Sequence, residues 1–150
     1  MKKNNPIELF RGRCSGEVIE LPIDERDHWR RQWRRAYGGP HKASFEEGDL
    51  AGYDWHLFSF KVHPSVDGAA AVAALRARSV SSSLLAIPSY QDCYEKLPGF
   101  RISAGLTHEP PALEGVRLDY LLFPESLAWT YACTHEDGYC GPYFATLKTQ

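Results

Sequence analysis

The sequence predicts one α+β domain: a single antiparallel or mixed sheet of about five strands, with two main helices packed on it. Three observations carry that expectation. Only two segments, 24–37 and 66–78, read as substantial helices. The aromatic and β-branched runs that read as strands gather in the second half of the chain. An Asp137-Gly138 pair between the last two such runs is the signal of a tight hairpin. Strands that cluster, instead of alternating with helices, argue against a doubly wound parallel sheet.

At 150 residues the chain has the size of one domain, read here as 1–150 with residues 1–7 a loose lead-in. Its 43% hydrophobic content excludes a disordered chain. With 13% aromatics and a single Met, the core should be rigid and aromatic.

The elements follow in order. Residues 17–21 form a short strand. Pro22 and Asp24 open the first helix, with Asp24 as its cap, and Gly38-Gly39-Pro40 stops it. Trp29, Trp33, Ala36 and Tyr37 recur at i, i+4, i+7 and i+8, on one stripe. Residues 41–52 are a polar loop. Residues 53–62, Tyr-Asp-Trp-His-Leu-Phe-Ser-Phe-Lys-Val, read as a central strand with apolar groups on both faces. The Ala-rich second helix spans 66–78, capped by Ser65 or Asp67, and a strand at 80–87 ends on Pro88. Residues 90–97 read as one or two helical turns and 100–104 as a short strand. Residues 107–115, with Pro110-Pro111, are loop. Strands at 118–123, 127–135 and 143–147 complete the sheet.

Two segments are distinctive together: Tyr53-Asp54-Trp55-His56-Leu57-Phe58-Ser59-Phe60, and Trp129-Thr130-Tyr131 running to Thr134-His135-Glu136 and Gly141-Pro142-Tyr143-Phe144. In their order and spacing the chain resembles a family of small bacterial proteins known as domain of unknown function 4275, over residues 20–148. The resemblance implies a bacterial single-domain protein with a common framework of aromatic strand and terminal hairpin. It implies no catalytic residues, since such a family has no established activity.

The densest group of reactive side chains is Trp129 to Asp137. On a strand, Trp129, Tyr131, Cys133 and His135 would share a face. A thiol beside an imidazole is how a nucleophilic cysteine is activated, so Cys133 and His135 are the candidate catalytic pair. Against them stands the plain reading of Cys133 as a small buried hydrophobe, with no Gly-rich oxyanion loop nearby. The four cysteines make no Cys-x-x-Cys pair and read as free thiols. The six histidines are dispersed without His-x-His or His-Glu-x-x-His spacing, so no metal is expected. Phosphate-cradling and nucleophile-elbow motifs are absent, and no cofactor is expected.

Net charge is −2, but residues 1–42 carry +4 and residues 43–150 carry −6. The basic end is one helix, with Arg26, Arg30, Arg31, Arg34 and Arg35 on the side opposite Trp29 and Trp33. Such a face can grip phosphates. Asp24, Glu25 and Asp27 in the first turn and Arg34 and Arg35 in the last also complement the helix dipole, which accounts for the pattern without nucleic acid. The acidic loops, Glu46, Glu47, Asp49 and Asp54 in one and Glu136 and Asp137 in the other, are the expected contact surface for a basic protein partner.

The leading functional expectation is therefore a non-enzymatic protein-binding module, immunity-like or regulatory. The alternatives are a small thiol-dependent hydrolase or transferase at Cys133 and His135, and an RNA-binding module on the Arg26–Arg35 face. With no apolar run long enough for a membrane span, and charged residues where a signal peptide needs an apolar segment, a cytoplasmic location is expected.

Overall fold

The computed structural model describes residues 6–39, 54–78, 82–89, 97–105 and 109–147. Among the described residues seven strands form one sheet: β1 (Val18–Glu20), β2 (Val66–Asp67), β3 (Leu84–Pro88), β4 (Phe100–Ile102), β5 (Tyr120–Pro124), β6 (Trp129–Cys133) and β7 (Tyr143–Thr146). They lie in the order β1-β4-β3-β5-β6-β7-β2, every neighbouring pair antiparallel. The helices among the described residues are α1 (Pro6–Arg11), α2 (Ile23–Gly38), α3 (His56–Ser59) and α4 (Gly68–Arg76).

Every residue of β3, β5 and β6 is buried, because both faces of the sheet are covered. Strand alternation sorts the side chains into two layers. Tyr120 and Leu122 of β5, Leu84 and Ala86 of β3, and Trp129, Tyr131 and Cys133 of β6 join Phe10 and Leu75 beneath α1 and α4. Leu121 and Phe123, Leu85 and Ile87, and Ala132 join Trp33, Tyr37, Trp55 and Phe58 beneath α2 and α3. Continuous apolar runs such as Leu-Leu-Ala-Ile are the sequence mark of a sheet covered on both sides.

The aromatic stripe of α2 is where its spacing puts it. Trp33 and Tyr37 are buried, with Trp29 and Ala36 packed at their margins. The indole of Trp33 stacks on Tyr37 at 5.1 Å and donates from Nε1 to Thr130 Oγ1 at 3.1 Å. Full burial of such a ring makes its truncation to Ala cost about 3–5 kcal/mol. The helix begins one residue before Asp24, with Pro22 in the cap position and no side-chain cap hydrogen bond.

Several expected elements differ. The aromatic run read as a strand at 53–62 is none over its described residues, 54–62: residues 56–59 form α3, and Trp55, Leu57 and Phe58 turn inward from its single turn while Phe60 is left exposed. Phe58 meets Trp33 and Tyr37 edge-on, and this packing against α2 overrides the β preference of its residue types. Val66 and Asp67, read as the start of a helix, pair instead with Phe144 and Tyr143; the helix starts at Gly68, whose φ of +59° suits glycine. Pro6 and Ile7, read as lead-in, open α1, whose Phe10 packs edge-on against Tyr120 at 5.2 Å. Strand β1 falls inside the short strand read at 17–21, whereas the two-residue β2 is too short to show an alternation; among the described residues the sheet has seven strands against the five or so expected. The helical turns expected at 90–97 fall almost wholly outside the described residues, as does the 41–52 loop.

Candidate functional site

The arginines of α2 point inward more than their helical spacing implies. Arg26, Arg30 and Arg34 follow one another at i, i+4 and i+8. Arg30 donates from Nε to Asp54 Oδ2 at 3.1 Å, and Arg34 donates from Nε and Nη2 to Asp54 Oδ1 at 2.9 and 2.7 Å. Asp54 has no solvent exposure. Arg26, also buried, donates to the Leu97 carbonyl at 2.8 Å and to Asp27. Asp27 thus pairs with its neighbour Arg26 rather than with Arg30 or Arg31. Among the described residues of α2, Arg31 and Arg35 are the exposed arginines, which shrinks the cationic face read from the sequence. Asp54, read as part of an acidic contact surface, is instead an interior counter-ion. Glu46, Glu47 and Asp49 lie outside the described residues.

From Asp54 a backbone chain crosses the sheet end. The Asp54 N–H donates to the Ser89 carbonyl at 2.9 Å, and the Ser89 N–H donates to the Asp119 carbonyl at 2.9 Å. The Asp119 carboxylate then collects three donors: Trp55 Nε1 at 2.9 Å, the His135 backbone N–H at 3.0 Å and His135 Nδ1 at 3.0 Å. A carboxylate only accepts, so Nδ1 carries the proton and Nε2 is turned outward, 3.7 Å from Glu136 Oε1. Trp55 and His135, from the two distinctive segments, therefore meet on one acid that neither segment contains. Sequence reasoning took residues 118–123 for an ordinary buried strand. The signal was there: an aspartate inside Leu-Asp-Tyr-Leu-Leu-Phe must be satisfied by partners.

Cys133 and His135 do not share a face. The strand ends at Cys133, whose side chain lies in the layer beneath α1 and α4, whereas His135 falls in the turn and packs 6.1 Å from Trp55 in the opposite layer. Burial, with Asp137 and Asp119 adding to it, pushes the Cys133 thiol far above its ordinary range, the reverse of nucleophile activation. Cys140 stands nearer the histidine side. Burial first, then its hydrogen bond to Glu136, raise its thiol as well. Tyr143, which shares a hydrogen bond with Cys140, is pushed up to about 12, chiefly by burial. Cys14, Cys133 and Cys140 are free thiols.

The turn between β6 and β7 is closely wired. Thr134, fully buried, donates from Oγ1 to the Cys140 carbonyl and accepts from the Glu136 N–H at 3.2 Å. The Tyr139 and Cys140 N–H groups both donate to the Glu136 carbonyl at 2.8 Å. Gly141 has φ +83°, and a Cβ there would meet Thr134 Cγ2 at 2.9 Å. The result is a firm loop that holds Tyr139 at 97% exposure, beside the exposed Glu136 and half-buried Asp137.

No helix among the described residues is long and apolar enough to cross a membrane, and none of their His, Cys, Asp and Glu side chains form a group of three able to hold a metal ion. A family model described as Domain of unknown function (DUF4275) matches residues 20–144, and the chain belongs to that family. No curated protein and no solved structure matches it.

Proposed function

We propose that this member of the DUF4275 family is a non-enzymatic protein-binding module of immunity-like or regulatory type, bacterial and cytoplasmic, which meets a basic partner through the hairpin turn at residues 134–142. The observation that carries this reading is Tyr139, held in the open by a wired loop and flanked by Glu136 and Asp137. An ordered loop loses little entropy when it docks, and a tyrosine supplies contact area with few rotatable bonds. Flanking carboxylates steer a partner of opposite charge and reject one of like charge. The free cysteines are in keeping with a reducing compartment.

The test is affinity capture from native lysate with the full chain, run beside a Glu136→Lys/Asp137→Lys/Tyr139→Ala variant. A basic protein should be retained stoichiometrically by the first, released as salt rises, and missed by the variant. Repeated failure of the parent chain to retain any protein in stoichiometric amount would sink the reading.

One observation favours a second reading, a small hydrolase or transferase. Asp119 orients His135 as an acid orients a general base, with Nε2 outward. In this reading Asp119 is the positioning residue, and Cys140, which packs in the same layer as Trp55, is the thiol it requires, against the rise that burial gives it. Iodoacetamide should then label Cys140 faster at neutral pH than unfolded-state cysteine, and His135→Ala should remove the difference. Labelling no faster than in the unfolded chain disposes of it.

A further inference from the structure

At β1 the sheet has an open edge. The Glu17 carbonyl accepts from the Ser103 N–H at 2.9 Å, and the Leu21 N–H donates to the Gly99 carbonyl at 2.8 Å. Backbone groups alternate in direction along an antiparallel strand. Glu17, Ile19 and Leu21 therefore face β4, and the N–H and C=O groups of Val18 and Glu20 face outward. Arg11, at the end of α1, agrees with that direction, since its Nη2 donates to the Val18 carbonyl at 3.4 Å. Among the described residues no strand lies outside β1, and that guanidinium is the one hydrogen-bond partner of its outward groups.

The side chains along this edge are a second, independent feature. Ile19 shares the face of the buried Leu21, yet it is 48% exposed, and Ile23 at the start of α2 is 67% exposed. Val18 and Glu20 turn to the other face, where Val18 is buried and Glu20 is exposed. Edge strands that must stay single carry a lysine or a proline, or are bulged. The middle of β1 is instead an exposed isoleucine.

We infer that β1 pairs with β1 of a second copy of this chain, joining two sheets across a twofold axis. Within the strand one antiparallel register uses every outward group, the one centred on Ile19. In that register Val18 exchanges both backbone hydrogen bonds with Glu20 of the second copy, and Glu20 does the same with its Val18. The two Ile19 side chains meet on the axis, beside Ile23. Glu20 of the second copy stands opposite Val18, at whose carbonyl Arg11 already waits, so each copy offers a guanidinium to the other's carboxylate. No like charges fall directly opposite one another, because Glu17 meets Leu21. A foreign strand could make the same backbone bonds, but it would not bring this match of Ile19 to itself and of Arg11 to Glu20. The hairpin at 134–142 leaves from β6, four strands away in the sheet order, so the pairing is independent of the contact proposed there.

Sedimentation equilibrium of the full chain, taken up to about 1 mM, compares its mass with that of one chain. A reversible rise towards two chains is expected, weak because so short a ladder makes a small interface. Ile19→Lys places two ammonium groups on the axis and should weaken association about ten-fold or more. Its circular dichroism and melting temperature should match the parent's, since the position is exposed. The decisive measurement crosses two charge variants. Arg11→Glu alone sets a carboxylate against Glu20 of the second copy, and Glu20→Arg alone sets a guanidinium against its Arg11. Each should associate about ten-fold more weakly than the parent. Mixed in equal amounts they restore opposite charges at both contacts, and a heterodimer of parental affinity should return. A mass that stays at one chain throughout overturns the inference. So does association that Ile19→Lys leaves untouched, or a pair of variants that fail to recover affinity on mixing.

Discussion

Helix α2 and the hairpin at 134–142 carry charges of opposite sign, and the molecule treats them in opposite ways. Three arginines of α2 turn into the protein, two of them sharing the closed Asp54 carboxylate. The hairpin acids Glu136 and Asp137 stay at the surface, on a loop whose own hydrogen bonds are made by its backbone, Thr134 and Asp119. A charge count along the chain gives both regions the same weight. What separates them is where the partner lies: Arg30 and Arg34 meet Asp54 in the interior, whereas Glu136 meets His135 at the surface and Asp137 has no ion pair among the described residues.

The comparison breaks first at Asp54. Its replacement by Ala leaves two guanidinium groups without their shared anion, one of them buried, and should cost about 3–5 kcal/mol in urea unfolding, because removing one partner of a buried pair strands the other. Loss under about 1 kcal/mol would show that Arg30 and Arg34 find solvent instead.

High pH probes the interior as a whole. Cys14 is raised from 9.0 to about 12 and Tyr143 from 10.0 to about 12, both by burial. The folded state therefore keeps protons that the unfolded chain releases, so these groups contribute stability fully below about pH 9 that is lost progressively towards pH 12. A melting temperature level to about pH 9 and falling steeply above it is the expected profile; a level profile up to pH 11 contradicts it.

Between the two regions stands Trp55→Phe, which removes one of the three donors on Asp119 and should cost about 1–2 kcal/mol in the same urea assay. The NMR signals of His135 should shift with it, and their constancy would show that Asp119 holds the histidine unaided. The smallest effect belongs to the hairpin. Asp137→Asn should alter stability by no more than about 0.5 kcal/mol, as surface changes without partners do. A larger loss would mean that this acid serves the fold, and the contrast with α2 would fail.

What the sequence disclosed follows the range of the interactions involved. The α2 stripe and the late strands are local patterns, and each stands where its periodicity put it, whereas the last two strands are joined by the long turn at 134–142 instead of closing tightly on Asp137-Gly138. The run at 53–62 was misread because its aromatic content is equally consistent with a strand and with a short helix pressed against Trp33 and Tyr37. The Arg30–Asp54 pair joins residues 24 positions apart, and the His135–Asp119 pair joins residues 16 apart. No spacing rule connects such residues, and only the lone acid in the apolar run at 118–123 hinted at the second.

The Trp55–Asp119–His135 contact gives the protein a resident optical gauge. The indole lies in the core, stacked 6.2 Å from Tyr143, while its Nε1 shares an anion with a histidine at the foot of the hairpin. Any occupant that pulls His135 or Tyr143 aside alters the polarity and the quenchers around that indole. The emission of Trp55, isolated by subtracting a Trp55→Phe spectrum, thus reports docking at the hairpin without an attached dye.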